Sequence, residues 1–305
     1  MIYNVQLRNH SRVFTAKSTH RESDVYAAQP YDRIIFLLHG FPDNNDTYHL
    51  VWDQLVSAFP KSLLLAPAMR GYERSSQGPD HEYRVSDLAS DVKAWITNIN
   101  PPAGVHVHLV GHDWGAITCF KVGQLYPELV TSMVTLAIPY IANVHLPQLL
   151  WYSPEQVWYS SYFLTMQLKA IYSRKFAGDY LNALWKYWSP TWDFPERTIQ
   201  SVQATLESPG VLDASTAYYR CLLNPLNLLQ IKWVVDFDKV PTLILGGETD
   251  GCMSNRLLRY EKKLLNGTHN GKVEVREIPH AGHFLQQEAP REVADAVIEW
   301  IRKFP

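Results

Sequence analysis

The chain has 305 residues, 46% of them hydrophobic and 19% charged, which suits one large α/β domain with a sizeable insertion. A formal net charge of -2 gives no bias toward nucleic acid or an anionic membrane, so no nucleic-acid partner is expected. Three cysteines, Cys119, Cys221 and Cys252, form neither a disulfide framework nor a metal-ligand spacing, and they read as reduced thiols of a cytoplasmic protein. Met1 to His10 lacks a basic-then-apolar leader pattern, and no apolar run reaches membrane-spanning length.

In chain order, short apolar runs alternate with amphipathic stretches. Arg33 to Leu38 and Ser62 to Ala66 are the first two predicted core strands. Val85, Leu88, Ala89, Val92, Trp95, Ile96 and Ile99 then recur at spacings of three and four, which predicts a helix with one apolar stripe. Val105 to Val110 is a third strand, followed by a helix over Ala116 to Tyr126, and Val130 to Ala137 is a fourth strand. Thr242 to Gly246 and Val273 to Ile278 complete the set, and Pro290 opens a C-terminal helix. The nearly continuous apolar character of these runs fits a mainly parallel sheet covered by helices on both faces.

The alternation breaks between residues 140 and 230. That stretch holds five of the ten tryptophans and nine of the seventeen tyrosines, and helical fragments such as Tyr162 to Ala170 and Tyr180 to Trp188 replace the strands. It reads as a helical cap (140–230) inserted into a core made of 1–139 and 231–305. Any single aromatic there is first a packing residue, because a small helical subdomain needs bulk to fill its core.

The chemistry centres on Gly111-His112-Asp113-Trp114-Gly115-Ala116. Small residues two before and two after a central reactive residue are what a sharp strand-to-helix turn requires, and such a turn exposes the central side chain above the sheet. The usual occupant is Ser; here it is Asp113. A carboxylate can attack a saturated carbon and form an alkyl ester, which water must then cleave with the help of a base and an oxyanion hole.

His283, in Pro279-His280-Ala281-Gly282-His283-Phe284, follows the predicted strand Val273 to Ile278 and is the expected base. His280 is its rival, and His-x-x-His without further ligands nearby predicts no metal site. Asp250 and Glu248, both after the strand Thr242 to Gly246, are the carboxylates eligible to orient the histidine. In His39-Gly40-Phe41-Pro42, the backbone N–H of Phe41 joins that of Trp114 as the expected oxyanion-hole pair, leaving the Phe41 and Trp114 side chains to line a substrate pocket. His106 and His108 read as hydrogen-bonded core or edge residues.

Taken together, His39-Gly40-Phe41-Pro42, Gly111-His112-Asp113-Trp114-Gly115, Glu248-Thr249-Asp250 and Gly282-His283-Phe284 resemble the α/β-hydrolase fold, specifically its epoxide hydrolase branch. The resemblance implies an eight-stranded, mostly parallel sheet and a triad of Asp113, Asp250 and His283. It also implies two cap tyrosines that hydrogen-bond and protonate an epoxide oxygen. Tyr162, followed five places on by Gln167, is similar to the first cap motif, and Tyr219, just before Arg220, to the second; Tyr159 and Tyr218 are the neighbouring alternatives.

Two positions depart from the family pattern: Glu73 in Arg70-Gly71-Tyr72-Glu73-Arg74-Ser75 replaces a small residue, and Tyr140 stands where His often follows the Pro. The expected reaction converts a small-molecule epoxide to a vicinal diol through an ester on Asp113, with no cofactor; a homodimer is compatible with the chain. Haloalkane dehalogenase chemistry needs donors for a halide, and Phe41 offers none from its side chain. A non-catalytic binding protein on the same fold is the reading from another class.

Overall fold

The computed structural model describes residues 1–27, 31–141, 146–152, 154, 161–224, 227 and 233–305. Eight strands form one sheet in the order β1-β2-β4-β3-β5-β6-β7-β8. They are β1 (Tyr3–Asn9), β2 (Arg12–Ser18), β3 (Arg33–Leu38), β4 (Ser62–Pro67), β5 (His106–His112), β6 (Ser132–Leu136), β7 (Thr242–Gly247) and β8 (Val273–Ile278). β1 and β2 pair antiparallel and β2 meets β4 antiparallel, whereas the pairs from β4 through to β8 are parallel.

All six predicted strands are present, two with the predicted ends and four with ends shifted by up to two residues. β3 shows why they were legible. Ile34, Phe36 and Leu38 pack into the core on one face of the sheet, and Ile35 and Leu37 into the core on the other, all fully buried. Removing such a side chain from water contributes about 1.5–3 kcal/mol each, so a strand covered on both faces tolerates no polar alternation.

β1 and β2 escaped the residue-by-residue reading because they follow a different rule. Their inward positions (Val5, Leu7, Phe14, Ala16) alternate with Arg8, Thr15 and Lys17. That is the period-two pattern of a half-exposed edge hairpin.

The helix Val85–Ile99 forms as its stripe predicts, and Pro290–Lys303 begins at its proline. Between β6 and β7 the described elements are helical: Leu146–Tyr152, Lys169–Phe176, Tyr180–Trp188, Glu196–Glu207 and Val211–Leu223. The expected helix over Tyr162 to Ala170 is broken, because Leu168 is extended (φ -117°, ψ 111°) and starts Lys169–Phe176 afresh. The expected return of the chain at residue 231 lies outside the described residues. No helix among the described residues is long and apolar enough to cross a membrane.

Candidate active site

Asp113 sits between the end of β5 and the helix Trp114–Leu125, with φ 51° and ψ -115°. A non-glycine residue held there stores about 1–3 kcal/mol of strain that its surroundings must hold. The flanking glycines make the turn sterically feasible. A Cβ on Gly111 would lie 2.3 Å from the Gly115 carbonyl oxygen, and one on Gly115 would lie 2.1 Å from that of Leu38.

The loop after β3 closes over the carboxylate. The Phe41 N–H donates to Asp113 Oδ1 at 2.8 Å, and a Cβ on Gly40 would fall 2.4 Å from Asp113 Cβ. His39 latches this loop: its Nε2 accepts the Met69 N–H at 3.0 Å, so its Nδ1 donates to the Gly40 carbonyl at 2.9 Å. Burial lowers the His39 pKa to about 4 and keeps the ring neutral, as this pair of bonds requires.

The Phe41 ring packs among other aromatic rings. It is fully buried between Phe176 (5.8 Å between centroids) and Tyr219 (5.6 Å), outside the lining of the cavity above Asp113. One residue beyond Pro42, Asp43 is also buried, and its carboxyl is pushed up to about 7 by that burial against hydrogen bonds from Thr47 and Asn44.

His283 lies across from Asp113. Its Nε2 is 3.7 Å from Asp113 Oδ2, and its Nδ1 is 3.1 Å from Asp250 Oδ2. Asp250 is itself fixed, since its Oδ1 accepts the N–H groups of Cys252 (2.7 Å) and Met253 (3.0 Å). Burial of the imidazole favours its neutral form, yet its pKa stands well above the ordinary histidine value. Of the groups that raise it, Cys252 is kept protonated by its own burial, so the carboxylates of Asp250 and Asp113 are the physical cause. The rivals pair with each other instead: Glu248 accepts the His280 N–H at 2.9 Å, and the His280 ring is 94% exposed. Asp250, Cys252 and His283 bring metal-type donor atoms within 4.8 Å of one another. Both Asp250 oxygens are already committed, which fits an orienting carboxylate better than a cation ligand.

His108 is the hydrogen-bonded core residue expected from the sequence, and His112, beside the nucleophile, is also held in place. His108 bonds to Ser132 Oγ at 2.9 Å inside the sheet, and His112 Nε2 lies 3.0 Å from the His283 carbonyl. Burial lowers the pKa of both to about 3.

Two phenols face the carboxylate from the helical insertion. The hydroxyls of Tyr162 and Tyr219 are 2.9 Å apart, and Tyr219 stacks edge-on against Trp114 at 5.0 Å. Burial raises both pKa values well above the ordinary tyrosine value, so both remain proton donors. Tyr218 turns the other way and donates to the Arg70 carbonyl; Tyr159 lies outside the described residues. Gln167 spans the two tyrosine-bearing segments, donating to the carbonyls of Phe163 (3.0 Å) and Tyr219 (3.3 Å). The cavity they share, about 290 Å³, is bounded by Asp113, Trp114, Ile138, Tyr162, Trp188 and Tyr219 among other, mainly apolar, residues.

Neither departure noted in the sequence reaches this cavity wall. Glu73 accepts the Thr15 N–H at 2.6 Å on β2, and the Tyr140 hydroxyl accepts the Val235 N–H at 2.8 Å. Three supporting residues went unread. Trp188, Ser189 and Glu288 hold the loop that carries His283, through contacts between distant parts of the chain that no local spacing encodes.

A family model described as alpha/beta hydrolase fold matches residues 33–290. Epoxide hydrolase 4 of Homo sapiens is 25% identical over 268 residues, covering 84% of this chain and 69% of that protein. Epoxide hydrolase A of Mycobacterium tuberculosis is 23% identical over 332 residues, covering 91% and 92%. Among solved structures, an epoxide hydrolase from Vigna radiata superposes with a TM-score of 0.76 at 20% identity, covering 99% of both chains.

Proposed function

The chain belongs to the α/β-hydrolase family, and from that premise we propose that it is an epoxide hydrolase. The observation that carries the reading is a pair of buried, protonated phenols opposite a buried carboxylate in one apolar cavity. Asp113 alone would serve any displacement at saturated carbon. The phenols suit a leaving group that needs a proton, and the alkoxide of an opening epoxide is one.

In this mechanism Asp113 Oδ1 stays in the hydrogen bond from Phe41, and Oδ2 attacks an epoxide carbon. The C–O bond of the ring breaks as Tyr162 or Tyr219 delivers a proton to the oxygen. His283, oriented by Asp250, then removes a proton from water, and the hydroxide adds to the ester carbon. Negative charge collects on Oδ1, where the N–H groups of Phe41 and Trp114 stabilise it. Collapse breaks the ester C–O bond, the proton of the added hydroxide passes to the departing alkoxide to give the vicinal diol and the carboxylate, and the proton held by His283 returns to the tyrosinate. Water is the second substrate, and the scheme uses no cofactor. We assign residues 140–230 as the cap and 1–139 with 231–305 as the core; the cap supplies the acids and the core supplies the triad.

Single-turnover reaction in heavy-oxygen water tests the scheme. The label is expected in the Asp113 carboxylate after the first turnover, with the diol carrying the enzyme's own oxygen. Label confined to the diol would exclude the ester. Halide release from a bromoalkane without turnover of any epoxide would replace the reading with a dehalogenase.

A further inference from the structure

Tyr162 borders a second cavity. Among the described residues, a space of about 310 Å³ is bounded by Ser161, Tyr162, Lys175, Tyr180, Ala183, Leu184 and Tyr187. Among the described residues, Tyr162 is the one common to the linings of both cavities.

The two spaces differ in charge. The Asp113 cavity holds a carboxylate and mainly apolar walls, so a second anion there would meet repulsion in a poorly solvated site. The outer cavity contains a cation. Lys175 Nζ is 3.2 Å from Thr165 Oγ1 and 4.8 Å from the Tyr180 ring centre, and among the described residues no carboxylate pairs with it. Around it stand aromatic and aliphatic walls: Tyr180 is partly buried, Leu184 is 6% exposed, and Tyr187 at the rim is 60% exposed. An ammonium group above apolar walls fits the far end of an amphiphile, a carboxylate carried on an apolar body.

We propose that the outer cavity is a subsite for an anionic tail, and that the enzyme favours epoxides whose far end carries a carboxylate. The inference rests on the epoxide hydrolase reading and names the substrate class of that site. The epoxide lies between Asp113 and the tyrosine hydroxyls, the body passes along the Tyr162 ring, and the carboxylate ends at Lys175 Nζ. Lys175 touches the tail and not the reacting atoms, so it sets affinity and leaves the chemical steps alone.

The test compares the glycidyl ether of para-hydroxybenzoate with its methyl ester, on the wild-type protein, Lys175→Gln and Lys175→Glu. A partly exposed ion pair is worth up to about 1 kcal/mol, so Lys175→Gln is expected to raise KM for the acid by roughly three- to fivefold. Its kcat, and both parameters for the ester, should hold. Lys175→Glu should raise the acid's KM further, and added salt should erase the wild-type preference. Equal responses of acid and ester across all three proteins, with epoxide turnover intact, overturn the subsite. Failure of the wild type to open either compound overturns the epoxide reading and the subsite with it.

Discussion

Ser189 Oγ accepts the backbone N–H of His283 at 3.0 Å and donates to Glu288 Oε1 at 2.6 Å. The other oxygen of Glu288 takes the Gly282 N–H at 2.7 Å, and the Trp188 carbonyl accepts the His283 N–H at 3.1 Å. The chain just beyond the helix Tyr180–Trp188 thus acts as a clamp on the histidine loop. Space there is tight, since a Cβ on Gly282 would lie 2.6 Å from Ser189 Cα.

Ser189→Ala removes the hydroxyl and leaves Glu288 Oε1, a partly buried charged acceptor, with only the Phe284 N–H at 3.0 Å. A loss of about 1–3 kcal/mol in stability is expected, read from the urea midpoint at constant slope. Turnover should fall more in hydrolysis of the ester than in its formation, because His283 acts only in the second step. Stopped-flow accumulation of the ester distinguishes this from uniform loss of folded enzyme.

Tyr162→Phe and Tyr219→Phe should each slow ring opening, and the double variant by about 10²-fold or more. Tyr218→Phe is the control. Its hydroxyl bonds to Arg70, so the expected cost is about 1 kcal/mol of stability with ring opening unchanged. An equal kinetic defect in Tyr218→Phe would remove the assignment of Tyr219.

Ester hydrolysis needs neutral His283, whose pKa is raised. In the ester Asp113 carries no charge, so of the two carboxylates only Asp250 still holds that pKa up, and the rate of the step should climb with pH to a plateau whose position Asp250 sets. Asp250→Asn should lower both the plateau and the apparent pKa. For stability the sign is opposite. A raised folded-state pKa means this histidine's contribution is complete below its unfolded pKa, near 6.5, and is lost as pH rises through the folded value. Pre-steady-state rates and urea midpoints across pH report the two effects separately.

Glu261 is 1% exposed, and its Oε2 accepts the Tyr140 N–H at 2.7 Å. Burial pushes its carboxyl up to about 8, so it folds protonated. Between its unfolded pKa, near 4.3, and about 8, only the unfolded state releases the proton, and stability declines with rising pH. Glu261→Gln should leave activity intact and match the wild type at the acid end of that window. At pH 8 it should be the more stable protein, by on the order of a few kcal/mol. A constant offset across the window would mean Glu261 is ionised in the fold.

The sheet and the turn at Asp113 could be read from the sequence because their rules are local. Ile34 to Leu38 are buried on both faces, and Gly111 is demanded by its contact with Gly115 inside the turn, while Gly115 answers to Leu38 of the neighbouring strand β3. Choosing between Tyr218 and Tyr219 depends on helix phase. Successive residues point about 100° apart, so one hydroxyl reaches the Arg70 carbonyl while the other meets Tyr162. The Gln167 bridge just ahead of the break at Leu168 and the clamp at Ser189 depend on partners far along the chain. They became visible only with the fold.

The Phe41 N–H reaches Asp113 from a loop 72 residues earlier in the chain, and the two are neighbours because β3 and β5 pair with Leu38 opposite Gly111. A slip of one residue between those strands would turn every side chain of one of them to the opposite face. The donor would then no longer meet the carboxylate. Diol formation would thus report on strand alignment: a chain that had collapsed and gained its helices, but paired these two strands wrongly, would resemble the native protein in secondary structure and yet be inert.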